Sequence, residues 1–329
     1  MVYYKQLKPA VTRFRCDVPG LDTEKVYVVN GKRVHPHVGQ QGFQIRVEAA
    51  RLPTKPLQVI NVREGNGLAE IYCENRLTIA AGASASLIVC DHTASERRFV
   101  TETLNTITLE EGARLDLLLM QNEHNSAVHT TKVNVQQAPR SSFSCTVVTL
   151  HGGIIENQIH VELQGKEAAC TLNGLFLCDG DQRVTNTVQV RHAVPLCRSK
   201  QLFKGLLNDH STGHFNGHII VDKNAQQTEA LQENHNILLT HSAKMYIQPH
   251  LEIYADDVKC THGATIGRID ENALFYLRSR GISLTEARLL QQFAFAHNVI
   301  ERIALQPLQE RIAALVNKRL HGELYPCTC

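Results

Sequence analysis

The chain has 329 residues, enough for about two domains or one elongated one. Its 34 Lys and Arg nearly cancel its 32 Asp and Glu, and the net charge of +2 excludes the strong basic excess of a general nucleic-acid surface. At 43% hydrophobic and 20% charged residues it can build a core, and with no Trp and only 5% aromatic residues that core is aliphatic.

No run of about 18 apolar residues is present to span a membrane. The opening MVYYKQLKPAVTRFRCDVPG has no apolar segment of the secretory kind. Ten cysteines, at 16, 73, 90, 145, 170, 178, 197, 260, 327 and 329, then read as mostly reduced thiols of a cytoplasmic protein. Cys73, Cys90 and Cys178 sit inside apolar runs, where cysteine is a small core residue.

Residues 1–25 form an N-terminal extension. From about Val26 to Leu277 short β-type runs follow one another between Gly, Asn and Asp. Examples are Phe43 to Val47, Leu57 to Val62, Leu115 to Leu119, Lys132 to Val135, Cys145 to Leu150 and Thr187 to Val190. Helical periodicity scarcely interrupts them, which disfavours an α/β fold. Thr78 to Val89 recurs, imperfectly, as Thr108 to Leu119, so a Gly-Ala step (Gly82-Ala83, Gly112-Ala113) repeats after 30 residues. A degenerate third copy runs from Val161 to Gly165 and on through Ala168 to Leu172. Strand, tight corner and strand make one coil of a solenoid, and stacked coils bury a continuous aliphatic column. The pattern predicts a parallel β-helix over 26–282, with a β-sandwich as the alternative.

Beyond Gly281 the character changes. Ser283-Leu284-Thr285-Glu286 is a capping box. Leu289, Phe293, Ala296, Ile300 and Ile303 then form an amphipathic face. Pro307 suits the first turn of a second helix with apolar positions Leu308, Ile312, Leu315 and Leu320, and Gly322 ends it. This segment, 283–322, either shields an edge of the β-domain or docks a partner. Residues 323–329 form a Cys-containing tail.

Chemistry can sit in three places. If Val258 to His262 is a strand, Cys260 and His262 share a face with Cα atoms about 6.5–7 Å apart. A thiolate and an imidazole suit iron, an iron–sulfur cluster or zinc, but two ligands need others from elsewhere. Gly263 and Gly267 read as tight corners. His210, His214 and His218, at intervals of four, are a candidate zinc set or a solvated ladder. Cys327-Thr328-Cys329 is an accessory thiol pair. Asp256 and Asp257, as neighbours on a strand, point apart and make a poor acid/base pair, and no nucleotide-binding Gly-Lys-Ser/Thr motif is present.

Pro249 to Arg268, then Leu274-Phe275-Tyr276-Leu277-Arg278-Ser279-Arg280-Gly281-Ile282, closely resembles the SufB/SufD family of iron–sulfur cluster assembly proteins. Phe215-Asn216-Gly217-His218-Ile219-Ile220-Val221 and Asn234 to Leu239 support the match. The resemblance implies a right-handed parallel β-helix with C-terminal helices. SufB-like chains carry a cysteine-containing segment where this chain has Asn234-His235-Asn236, so the resemblance is to the SufD type. It implies a non-enzymatic scaffold, with His262 and Cys260 contributing to a transient cluster at the seam with a SufB-like paralogue. It also implies that the C-terminal helices, through Leu289, Phe293, Ile300, Ile303, Leu308, Ile312 and Leu315, dock a SufC-like ABC ATPase. A homodimer is a further expected pairing, and no cofactor is expected to stay bound. SufD-type chains usually have a longer helical region before the β-domain, which leaves functions of that region outside the resemblance. The alternatives are a stand-alone metal-binding protein and a β-helical enzyme acting on polysaccharide.

Overall fold

The computed structural model describes residues 16–33, 42–49, 55–64, 70–94 and 98–324. The first strands are β1 (Glu24–Val29), β2 (Lys32–Arg33), β3 (Gln44–Val47), β4 (Leu57–Arg63), β5 (Glu70–Ile79) and β6 (Ser84–Thr93). The middle coils are built from β7 (Val100–Leu109), β8 (Arg114–Asn122), β9 (Val128–Gln137), β10 (Ser142–His151), β11 (Ile154–Leu163) and β12 (Ala169–Cys178). The last are β13 (Arg183–His192), β14 (Arg198–Leu207), β15 (Thr212–Val221), β16 (Thr228–Leu238), β17 (Lys244–Ile253) and β18 (Val258–Gly267). Three helices follow: α1 (Glu271–Ser279), α2 (Leu284–Ile300) and α3 (Gln306–Leu320).

From β3 on, successive strands alternate between two sheets. One has the order β18-β16-β14-β12-β10-β8-β6-β4-β1-β2 and the other β17-β15-β13-β11-β9-β7-β5-β3. Every pairing is parallel except the short β1–β2 hairpin. The chain is therefore a parallel β-solenoid of about eight turns with helices at its C-terminus. The repeated segments lie in register one coil apart, with Ile79 opposite Leu109 and Leu87 opposite Leu117.

The corner inside the repeat explains both its signal and its fading. Gly82 and Gly112 have φ of +69° and +66°, where a Cβ is strained. The next corners place Arg140, Glu167, Leu196 and Gln227 at φ between +57° and +65°. The left-handed turn persists while the glycine does not. Beside it runs a column of buried small residues, Ala83, Ala113, Ser141, Ala168 and Cys197. Each coil bonds to the one before: Arg114 N donates to the Ala83 carbonyl, Ser142 N to Ala113 and Ala169 N to Ser141.

The lumen between the sheets is packed with Val59, Leu87, Leu117, Ile107, Val133, Phe143, Val188 and similar side chains. Phe rings in the lumen are matched by missing side chains on the next coil. Gly174 pairs with Phe203, and Phe176 with Gly205. A Cβ on Gly205 would stand 2.3 Å from Phe176 Cζ, and one on Gly174 2.2 Å from Phe203 Cδ1. Near the N-terminal end the lumen holds a charged cluster. Arg63 donates to Asp91 at 2.7 Å and lies 3.5 Å from Glu123, and Glu123 meets His129 Nδ1 at 2.6 Å. Burial works against the Glu123 carboxylate, but Arg63 and His129 outweigh it and hold its pKa well below the ordinary value.

The outer face of the ten-stranded sheet is apolar as well. Ile60, Ile88, Leu118, Met120, Val148, Leu150, Leu175 and Leu177 pack against Ala296, Val299, Ile300, Ile303, Leu308, Ile312, Leu315 and Val316. Arg319 fastens α3 by donating to the Leu150 carbonyl at 2.9 Å and to Asp179 at 2.6 Å. Lys204 holds α2, with its ammonium 4.3 Å from the Phe295 ring centre. The helices thus cover a flank of the solenoid rather than an edge.

This packing bears on the expected docking residues. Ile300, Ile303, Leu308, Ile312 and Leu315 are at most 5% exposed because the chain's own sheet takes their apolar face. Leu289 and Phe293 stay half-buried, in a groove shared with Leu290, Ala313 and Ala314. The caps are as read: Ser283 Oγ accepts from Glu286 N at 3.2 Å, Pro307 opens α3, and Gly322 follows it at φ +72°. The β-pattern, however, ends earlier than Leu277. Asp270 caps α1 by accepting from the Asn272 and Ala273 amides. The Cys327-Cys329 pair and the first 15 residues of the extension lie outside the described residues.

This buried packing has two measurable consequences. Gly205→Ala should destabilise the fold by about 1–3 kcal/mol in urea unfolding, since the added methyl would overlap the buried Phe176 ring. Burial pushes His192 down to about 4 and, with the Arg319 charge, His151 down to about 3. Below about pH 6.5 the unfolded chain takes up protons that the folded chain refuses, so stability falls on acidification toward pH 4. The slope should be about 1.4 kcal/mol per pH unit for each histidine, and His192→Gln should remove one histidine's share.

Candidate functional site at the open end of the solenoid

The last coil is β17 and β18, and neither has a strand on its far side among the described residues. Side chains that would face the lumen of a further coil are therefore uncovered. In β18 these are Cys260, His262, Ala264 and Ile266, which continue the inward columns of Ala230, Gln232, Asn234 and Asn236 in β16. Cys260 and His262 share one face of one strand, two residues apart, as the spacing predicts.

The two differ in environment. Cys260 is half-buried against the cluster of Ile219, Val221, Ala225, Ala230 and Ala255. Burial pushes its thiol pKa up, opposed by a backbone hydrogen bond from Ala230, so it is a protonated thiol at neutral pH. His262 is exposed and has no hydrogen-bond partner among the described residues. Its ring is available to an electrophile or metal approaching from beyond the end of the coil. Gly263 and Gly267 are not corners; both lie in β18, and Gly263 has open space where a Cβ would stand.

Large apolar side chains are exposed on the last coil and on the helix that follows it. Tyr246 is 51% exposed, Tyr254 61%, Ile266 49%, and Phe275 on α1 76%. The sequence reading missed this patch, along with His250 and Glu252 as site residues. Counting coils along the repeat would have found it, since residues of a final coil are uncovered whatever their type. Pro249, which has no amide to donate, lies in edge strand β17, where a sheet tolerates it.

The three-histidine set does not assemble. His210 lies in the turn before β15, while His214 and His218 project from its outer face about 13 Å apart. Their partners are on the next coil: His214 stacks on Tyr246 at 4.8 Å, and His218 meets Glu252 at 2.8 Å beside His250. Asp256 and Asp257 sit exposed in the bend between β17 and β18 rather than on a strand. Among the described residues no helix is long and apolar enough to cross a membrane.

An uncapped last coil that carries a thiol and an imidazole, with helices held on the flank of the earlier coils, defines a parallel β-solenoid with one open end. Residues 64–295 match the family described as SUF system FeS cluster assembly, SufBD core domain. The chain is 30% identical over 288 residues to the iron–sulfur cluster assembly protein SufD of Escherichia coli, covering 87% of this chain and 68% of that protein. It is 28% identical over 246 residues to an iron–sulfur cluster assembly SufBD family protein of Synechocystis, and 30% identical over 220 residues to one of Mycobacterium leprae. These matches cover 74% and 64% of this chain, and 54% and 56% of the relatives, so it spans about half their length. The chain belongs to the SufB/SufD family of SUF iron–sulfur cluster assembly proteins and is most like SufD.

An exposed imidazole without partners contributes nothing to the fold. His262→Ala should therefore shift unfolding stability by no more than about 0.5 kcal/mol, as measured by urea titration.

Proposed function

We propose that the chain is a non-enzymatic scaffold subunit of a SufB–SufC–SufD-type assembly complex in the cytoplasm. Its open coil meets the corresponding end of a SufB-like paralogue, and His262, with Cys260 beside it, faces a site between the two chains. Iron or a nascent iron–sulfur cluster is the cargo there and leaves with an acceptor, so nothing stays bound to this chain. The observation that carries this reading is the uncovered inward row Cys260, His262, Ala264 and Ile266, flanked by two unpaired parallel edges. Such edges accept strands of a second chain by sheet extension, and the exposed Tyr246, Tyr254 and Phe275 supply apolar area for the contact. A second copy of this chain can meet the same end, which makes a homodimer the competing assembly.

The chemistry is consistent with a shared site. A neutral imidazole and a thiol that ionises on metal binding are soft-to-borderline ligands suited to iron and sulfide-bridged iron. Two donors leave a tetrahedral ion half-coordinated, so the remaining ligands belong to the partner or the cargo. The SufC-like ATPase docks on the outward side of the helical pair, at Leu289, Leu290, Phe293, Ala313 and Ala314. With the opposite side of α2 and α3 clamped to the sheet, a pull on the groove reaches the solenoid directly.

Co-expression with SufB and SufC homologues from the same source tests both parts. His262→Ala should leave the complex intact on size exclusion and lower its iron and sulfide content at least about tenfold, the loss that supporting groups alone cause in metal sites. Full cluster content in that variant would refute the role of His262. Phe293→Asp should release the ATPase while the SufB-like chain is retained; co-purification of all three would refute the groove.

A further inference from the structure

Away from the open end, three metal-ligand side chains converge on the outer face of the ten-stranded sheet. The donor atoms of Cys16, Cys90 and His92 all lie within 4.8 Å of one another, and all three residues are buried. Cys90 and His92 come from one face of β6, opposite Ile60 and Val62 of β4. Cys16 comes from the segment ahead of β1 and joins the cluster of side chains beneath the helices.

Gln58 organises the group. Thr23 Oγ1 donates to Gln58 Oε1 at 2.7 Å, which turns the Gln58 amide nitrogen toward the cysteines. That nitrogen donates to the Cys16 carbonyl at 2.8 Å and lies 3.8 Å from Cys90 Sγ. An N–H aimed at a sulfur stabilises a thiolate and fixes its direction, the kind of outer support that metal ligands have. The second convergent group, Asp91, Glu123 and His129, differs, because the Arg63 guanidinium already supplies its positive charge.

We propose that Cys16, Cys90 and His92 bind one zinc ion, which staples the segment before β1 to the sheet. Two sulfurs and one imidazole nitrogen are a zinc donor set, and the tetrahedral preference leaves a fourth position for water. The donors stand near the mutual spacing of such a site, so little rearrangement is needed. On binding, each thiol gives up its proton to solvent, and two thiolates cancel the charge of Zn²⁺, which suits a buried position. The ion links residues 16 and 90 across two coils, where no backbone bond joins them directly.

The full chain, purified without chelators, should carry about one zinc by elemental analysis. Cys16→Ser and Cys90→Ser should each lose most of it, while Cys260→Ser and His262→Ala should keep it, which separates this site from the proposed cluster end. Cobalt(II) in place of zinc should give thiolate-to-metal charge transfer and tetrahedral absorption. In case a variant fails to fold, alkylation of the unaltered chain reads the site directly: zinc should protect Cys16 and Cys90 from the reagent. Absence of zinc after incubation with a zinc salt, unchanged zinc in the folded serine variants, or a Cys16–Cys90 disulfide in the isolated chain would each overturn the proposal.

Discussion

A strand in a solenoid finds its backbone partners only in the coil before and the coil after it. Most of this structure follows from that nearest-neighbour constraint. Inside the stack it rewards aliphatic columns, small corner residues and rings fitted over glycines. At the last coil it leaves donors, acceptors and inward side chains with nothing to meet. Cys260 and His262 stand at an open end because of where the stack stops, not because a cleft was built around them.

The two sheets answer the constraint differently. The eight-stranded sheet has a solvated outer face, so its strands alternate buried and exposed residues, as in β5 and β11. Strands β4, β6, β8, β10 and β12 of the ten-stranded sheet are covered on both faces, by the lumen and by the helices, so they read as long buried runs such as Leu87-Ile88-Val89-Cys90. The helices therefore do double duty: one face is spent on the scaffold, and only the other is open to a partner.

This difference sets what could be read in the sequence. Apolar runs, the Gly-Ala repeat, the Ser283 cap and Pro307 led to the right fold class and placed α2 and α3. The repeat then vanished from view because later corners hold their left-handed turn with Arg140, Glu167, Leu196 and Gln227 in place of glycine. The last coils were faint because their inward positions are Gln232, Asn234 and Asn236, buried polar residues that break an apolar alternation. Helix α1 was lost for a similar reason, since Phe275 and Tyr276 read as β-type residues yet stand exposed on a helix. Of the site, the Cys260–His262 pair was legible from its spacing on a strand. The burial of Ile300, Ile303, Leu308, Ile312 and Leu315 was not, because an amphipathic pattern marks an apolar face without saying what covers it.

The charged cluster of Arg63, Asp91, Glu123 and His129 has a consequence for how the chain threads during folding. Coils of nearly equal length and similar aliphatic content are interchangeable partners, and a slip by one whole turn would keep most of the greasy column intact. Such a slip would part at least one of these buried ions from its partner, a mismatch costing several kcal/mol. The cluster thus favours the native ordering of the first turns over a shifted one.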